Sequence, residues 1–205
     1  MKVVVIDLEL GNIQSLSAAL SYLGVECEIS SNAESIALAS HLILPGVGAF
    51  DHAMEKVNSL LLYDSIYEHA VINKKPTLGI CLGMQLLTSG SDEGSLKGLS
   101  LIDGYCVKMK AEPISGFKVP HVGFSAISGY KPKGLFSHLN ETADFYFTHS
   151  FALPELPNNF NIARCNHLNS FVAAFQIDNL CGAQFHPEKS QSTGLRLISN
   201  FLELS

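Results

Sequence analysis

The 205-residue sequence predicts an α/β fold, with an open, mostly parallel central sheet, helices on both faces, and antiparallel strands in its second half. Two observations predict it. From the start to Leu87, short β-branched runs alternate with stretches of helical periodicity; from Gly98 on, strand-like runs follow one another until a closing helix. Strands that alternate with helices pair in parallel through right-handed crossovers, which lay helices on both sides of the sheet. Hydrophobic residues make up 47% of the chain and charged residues 16%, enough apolar material for one well-buried domain over residues 1–205.

Residues 2–7 form the first strand, and Asn12 is the N-cap candidate for a helix over 13–23 with Gly24 as its stop. A strand follows at 27–30 and another at 41–44, which ends at Pro45-Gly46. Residues 50–71 read as one or two amphipathic helical stretches before the Lys75-Pro76 break. Residues 77–80 are a buried strand and 82–87 a helix, with 89–98 the most loop-like stretch. The second half carries strand-like runs at 98–109, 120–127, 144–152, 160–165, 171–177 and 180–184. Leu195, Leu197, Ile198, Phe201 and Leu202 then recur at helical spacing and predict a closing helix over 193–204.

Charge and cysteine usage exclude several classes of function. A net charge of −6 with 13 Lys and Arg supplies no basic face for nucleic acid. No apolar run approaches the ~18 residues of a membrane span. The opening Val3-Val4-Val5-Ile6 meets Asp7 before it could serve as a signal sequence, so the cytoplasm is the expected compartment. Five cysteines without a C-x-x-C pair suit neither a disulfide framework nor a zinc site. No metal or cofactor is expected.

One cysteine stands apart. Gly79-Ile80-Cys81-Leu82-Gly83 sets a thiol between two glycines where a buried strand turns into a helix, the arrangement called a nucleophile elbow when the central residue is serine. A tight turn there exposes the sulfur at the carboxyl edge of the sheet, aims the helix N-terminus at it, and lets the Leu82 N–H donate to an oxyanion. Most free cysteines are small core hydrophobes, and Cys27, Cys106, Cys165 and Cys181 are read that way. A thiol nucleophile needs a base, for which eight histidines compete. Gln184-Phe185-His186-Pro187-Glu188 decides the choice, because it follows an apolar strand at the presumed carboxyl edge of the same sheet. The residue before proline favours extended geometry, so His186 and Glu188 are expected to project to one side, with the carboxylate holding the imidazole tautomer and the other nitrogen facing Cys81.

At these residues the chain resembles the class I, triad-type glutamine amidotransferases, which share a flavodoxin-like sheet, and within them the glutaminase subunits of imidazole glycerol phosphate synthases. The resemblance spans essentially the whole length. It rests on Gly11-Asn12, Leu44-Pro45-Gly46-Val47-Gly48-Ala49-Phe50, the elbow through Met84-Gln85-Leu86-Leu87, Val119-Pro120-His121-Val122-Gly123, Tyr146-Phe147-Thr148-His149-Ser150 and Gln184 to Ser190. It implies that Cys81 is the attacking thiolate, His186 the general base and acid, and Glu188 its orienter. It also implies an oxyanion hole made by the Val47 and Leu82 N–H groups, each donor worth about 3 kcal/mol, and glutamine recognition by Gly48, Gln85, Glu93, His149 and Ser150.

The resemblance further implies a partner, a (β/α)8 barrel cyclase that receives the ammonia, with Asn12, Pro120, His121, Phe124, Tyr146 and Lys189 on or near the contact. Two positions depart from the usual pattern there. Phe124 stands where the family generally has Trp, and Asp7-Leu8-Glu9-Leu10-Gly11 replaces a Tyr-Gly-x-Gly type loop. A paralogous glutaminase that supplies another amidotransferase, such as one that modifies surface sugars, is therefore the alternative. A non-catalytic relative would be expected to lack Cys, His or Glu of the triad, and a cysteine peptidase fits Gln85 and Pro45-Gly46-Val47-Gly48 less well.

Overall fold

The computed structural model describes residues 1–11, 13–110 and 118–205, so the expected Asn12 cap lies outside the described residues. The first half runs β1 (Val3–Ile6), α1 (Ile13–Tyr22), β2 (Cys27–Ser30), α2 (Ala33–Leu38), β3 (His41–Gly46), α3 (Phe50–Ser59), α4 (Tyr63–Tyr67), β4 (Thr77–Cys81) and α5 (Leu82–Leu86). The second half runs β5 (Val107–Lys108), β6 (His121–Ile127), β7 (Ala143–His149), β8 (Phe151–Ala152), β9 (Asn161–His167), β10 (Asn169–Ile177), β11 (Leu180–Ala183) and α6 (Gln191–Leu202). Seven strands form one sheet in the order β2-β1-β3-β4-β11-β10-β9. The first five are parallel, and β10 and β9 extend that edge by antiparallel pairing. The mostly parallel α/β sheet read from the sequence is the observed one.

The strands are apolar on both faces because both faces are covered. Along β1, Val3 and Val5 enter a core with Leu16 and Leu20 of α1 and Leu197, Ile198 and Phe201 of α6. Val4 and Ile6 enter the opposite core, with Ile36 of α2, Phe50, Met54 and Val57 of α3, and Met84 and Leu86 of α5. The two-stranded β6–β7 ribbon packs on the first core, where Phe145 stacks on Phe185 at 3.9 Å between ring centres.

Three sequence expectations change. Residues 98–109 are strand only at Val107–Lys108. The stretch before it gives its N–H groups to the end of α5 instead, Leu99 to the Leu86 carbonyl at 2.8 Å and Leu101 to that of Leu87 at 2.9 Å, which satisfies carbonyls a five-residue helix leaves open. The run at 144–152 is broken at Ser150 into β7 and β8. Helix α2 is not expected from the sequence, although Asn32 caps it, accepting from the Glu34 N–H at 2.8 Å.

The topology concentrates the predicted chemistry at one edge. Strand order reverses around β1, and ligands of open parallel sheets bind where loops part at the carboxyl ends of such strands. Gly46, the last residue of β3, pairs with Cys81, the last of β4. On the other side of β4 lies β11, so the chain leaving β11 towards His186 emerges beside the elbow.

Candidate active site

Cys81 has φ 54° and ψ −110°, a conformation that a non-glycine residue adopts only under constraint. The glycines around it are a steric requirement. A Cβ on Gly83 would sit 1.6 Å from the Leu44 carbonyl oxygen, and one on Gly79 would sit 2.6 Å from that of Gly83. The turn therefore closes only with those spacings, and Leu82 begins α5 with an N–H that has no intrahelical partner. The sulfur is nearly buried, with the Gln184 side-chain amide nitrogen at 3.8 Å and the Thr148 carbonyl at 4.0 Å. Cys106 and Cys165 behave as core residues, their thiols pushed up by burial to about 12 and about 11, and burial raises Cys181 as well.

His186 and Glu188 meet as expected, His186 Nδ1 to Glu188 Oε1 at 2.8 Å, but not through strand alternation. His186 is extended at φ −99° and ψ 97°, and Pro187–Lys189 then makes a single 3-10 turn that brings the carboxylate back to the ring. Backbone ties fix the segment: the His186 N–H donates to the Tyr146 carbonyl at 2.9 Å, and the Ser190 hydroxyl donates to the His186 carbonyl at 2.6 Å. Burial pulls the imidazole pKa down, but the Cys81 sulfur and the Glu188 carboxylate outweigh it and raise it to about 9. Its Nε2 is buried without another partner. The arrangement can hold an imidazolium beside the Cys81 sulfur.

A cavity of about 300 Å³ opens over Cys81. Gly48, Gln85, Glu93, His149 and Ser150 all line it, together with Val47, Leu82 and Pro120. Glu93 also caps α3: its Oε2 accepts from the Phe50 N–H at 3.1 Å, where Ala49 offers no side-chain cap. Burial raises its pKa, against the opposing Phe50 bond. The neighbouring loop is pinned by Asp51, which accepts from the N–H groups of Ser95 and Leu96 at 2.9 Å.

A family model, the class-I glutamine amidotransferases, matches residues 4–204. This chain belongs to the class-I glutamine amidotransferases. Curated relatives agree. It is 42% identical to "Imidazole glycerol phosphate synthase subunit HisH 2" of Vibrio vulnificus, over 99% of this chain and 94% of the relative. It is 39% identical to "Imidazole glycerol phosphate synthase subunit HisH" of Escherichia coli strain K12, over the full length of both. Among solved structures, a glutamine amidotransferase at 18% identity superposes with a TM-score of 0.77, over 98% of this chain and 97% of that one, which shows the fold. The chain is thus an enzyme of the glutaminase type.

Within this amidotransferase the partner-side candidates occupy distinct places. Phe124 is 52% exposed on β6 and meets Tyr146 edge to face at 5.6 Å, beside Val122 at 58%. Pro120 and Lys189 are exposed, while Asn12 lies outside the described residues. His121 is behind that face, only 2% exposed. Its Nδ1 lies 3.2 Å from His149 Nε2, and its Nε2 2.9 Å from the Ser125 hydroxyl. His149 Nδ1 donates to the Phe151 carbonyl at 2.8 Å, so both of its ring nitrogens are engaged within the protein. Burial, then the neighbouring imidazoles, lowers His121 to about 3; burial also lowers His149 to about 4, so the pair stays neutral. In the departing first loop, Glu9 is exposed and ion-paired with Lys56 of α3.

Gln184, Thr148 and Phe151, to which the sequence alone assigns no role, all approach the cavity or the sulfur. Gln184 carries a legible signal, because an amide between Ala183 and Phe185 at the end of a buried strand needs partners. Thr148 and Phe151 act through backbone carbonyls, which side-chain identity does not reveal. Among the described residues no cluster of His, Cys, Asp or Glu could hold a metal ion, and no helix is long and apolar enough to cross a membrane.

Proposed function

We propose that this chain, acting as one domain over residues 1–205, hydrolyses glutamine to glutamate and ammonia with Cys81 as nucleophile, His186 as general acid and base, and Glu188 as the orienting carboxylate. The observation that carries this reading is the elbow at the end of β4, whose Cys81 lies under the cavity of about 300 Å³ and whose sulfur raises the pKa of His186, itself paired with Glu188 at 2.8 Å.

The Cys81 sulfur attacks the side-chain amide carbon, and the carbonyl π electrons move to oxygen. The Leu82 and Val47 N–H groups donate to that oxyanion. His186 passes its proton to the amide nitrogen, the C–N bond breaks, and ammonia leaves a glutamyl thioester. A water then loses its proton to His186, attacks the thioester, and releases glutamate and the sulfur anion. Gln85 uses its amide nitrogen on the Phe151 carbonyl and Gln184, which leaves its oxygen as the acceptor for glutamine. Gly48, Glu93 and Ser150 complete the recognition set. His149 contributes a neutral wall.

The ammonia passes to a (β/α)8 cyclase subunit that makes imidazole glycerol phosphate and AICAR in histidine biosynthesis, docked on the face that carries Pro120, Phe124, Tyr146 and Lys189. The names of the relatives support this partner. The exposed Glu9 and Phe124, which depart from the family pattern on that side, favour as a second reading a different synthase served by the same chemistry.

In the assembled synthase Cys81→Ala should remove glutamine-dependent product formation and leave ammonia-dependent formation intact. Loss of both would refute ammonia delivery. A cyclase that neither copurifies with the chain nor raises its glutamine turnover would exclude the histidine pathway and leave the second reading.

A further inference from the structure

An unbroken amide chain ends on the Cys81 sulfur. The Phe151 carbonyl accepts from Gln85 Nε2 at 3.2 Å; the same nitrogen donates to Gln184 Oε1 at 3.0 Å; and Gln184 Nε2 lies 3.8 Å from Cys81 Sγ. Its direction is determined by one atom. A carbonyl oxygen can only accept, so Gln85 must turn its nitrogen to Phe151, and that nitrogen then requires the oxygen of Gln184. The remaining end of Gln184, which faces the sulfur, is the donor. Gln184 is fully buried, and its side-chain oxygen is held by Gln85 Nε2 at 3.0 Å, so the amide is fixed in this orientation.

We propose that Gln184 is a positioning residue of the glutaminase, whose amide N–H fixes the Cys81 sulfur and stabilises its anionic form. The inference rests on the reading of Cys81 as the nucleophile. It assigns Gln85 a second task besides glutamine recognition, because the Gln85 nitrogen is what orients Gln184. A hydrogen bond to an ion contributes more than one between neutral groups, so the donor favours the sulfur anion over the thiol. The titratable groups around the sulfur are His186 from the segment after β11, with Glu188 behind it, His149 from the end of β7, and Glu93 from the loop after α5.

The test uses the full chain and measures iodoacetamide alkylation of Cys81 across pH by peptide mass mapping, with half-buried Cys27 as the internal reference. Gln184→Leu removes the donor without adding charge. Gln184→Met also removes the donor without adding charge, at nearly the same side-chain length. Both should move the alkylation profile to higher pH, with a rate at neutral pH about tenfold lower, as expected for the loss of one charge-assisted bond. Both should also lower kcat for glutamine more than they change KM. Should the Leu variant fail to fold, the Met variant alone carries the test. Alkylation profiles that match the wild type would overturn the role of Gln184 while leaving Cys81 as nucleophile. A wild-type Cys81 that reacts no faster than Cys27 would overturn the nucleophile reading and this inference with it.

Discussion

His186 Nδ1 and Glu188 Oε1 lie 2.8 Å apart, both side chains almost wholly buried, two residues apart in sequence and joined by a single turn through Pro187. The Cys81 sulfur and this carboxylate raise the imidazole pKa from 6.5 to about 9 against the effect of burial. A base whose folded pKa is raised contributes stability that is complete below 6.5 and is lost as pH rises through about 9. Above that range the ring has no proton to give the leaving amine. Glutamine turnover should therefore fall as pH rises through about 9. Glu188→Gln should move this alkaline limb to lower pH and reduce kcat by about 10²- to 10⁴-fold, read from pH–rate profiles of the two proteins.

Gly83 tests the elbow independently of any ionisable group. A methyl group there would sit 1.6 Å from the Leu44 carbonyl, so strand and helix could not approach as they do. Gly83→Ala should cost about 3 kcal/mol in urea denaturation and abolish glutamine hydrolysis. Normal stability with normal activity would show that the turn has room the geometry denies.

The histidine pair behind the cavity predicts sensitivity to acid. His121 and His149 are held neutral, lowered from 6.5 to about 3 and about 4, whereas the unfolded chain takes up protons at 6.5. Their contribution is complete above 6.5 and is lost as pH falls towards the folded values. The urea midpoint should thus drop on acidification through the histidine range, and His121→Gln, which keeps hydrogen bonding without titrating, should flatten that drop.

Phe124 is half exposed and touches Tyr146 rather than the core. Phe124→Ala should leave the melting temperature of the free subunit nearly unchanged and weaken binding of the synthase partner by about 2 kcal/mol in calorimetric titration.

The sheet was legible because buried parallel strands read as continuous apolar runs, as Val3 to Ile6 do, and because glycine spacing marks the elbow around Cys81. The stretch before Val107 misled because its apolar residues Leu99, Leu101 and Ile102 pack against and cap α5, and periodicity does not distinguish such a strap from a strand. Cys81, His186 and Glu188 were legible from residue types that need one another. The proximity of Gln184 to the sulfur and the engagement of both His149 nitrogens were not, since each depends on the backbone carbonyl of Phe151.

Acid-quenched enzyme caught during glutamine turnover provides the most direct measurement. Peptide mapping should find a glutamyl group in thioester linkage on Cys81 and on no other cysteine. A glutamyl group on another residue, or steady glutamine hydrolysis by Cys81→Ala, would contradict the assignment of Cys81 as the nucleophile.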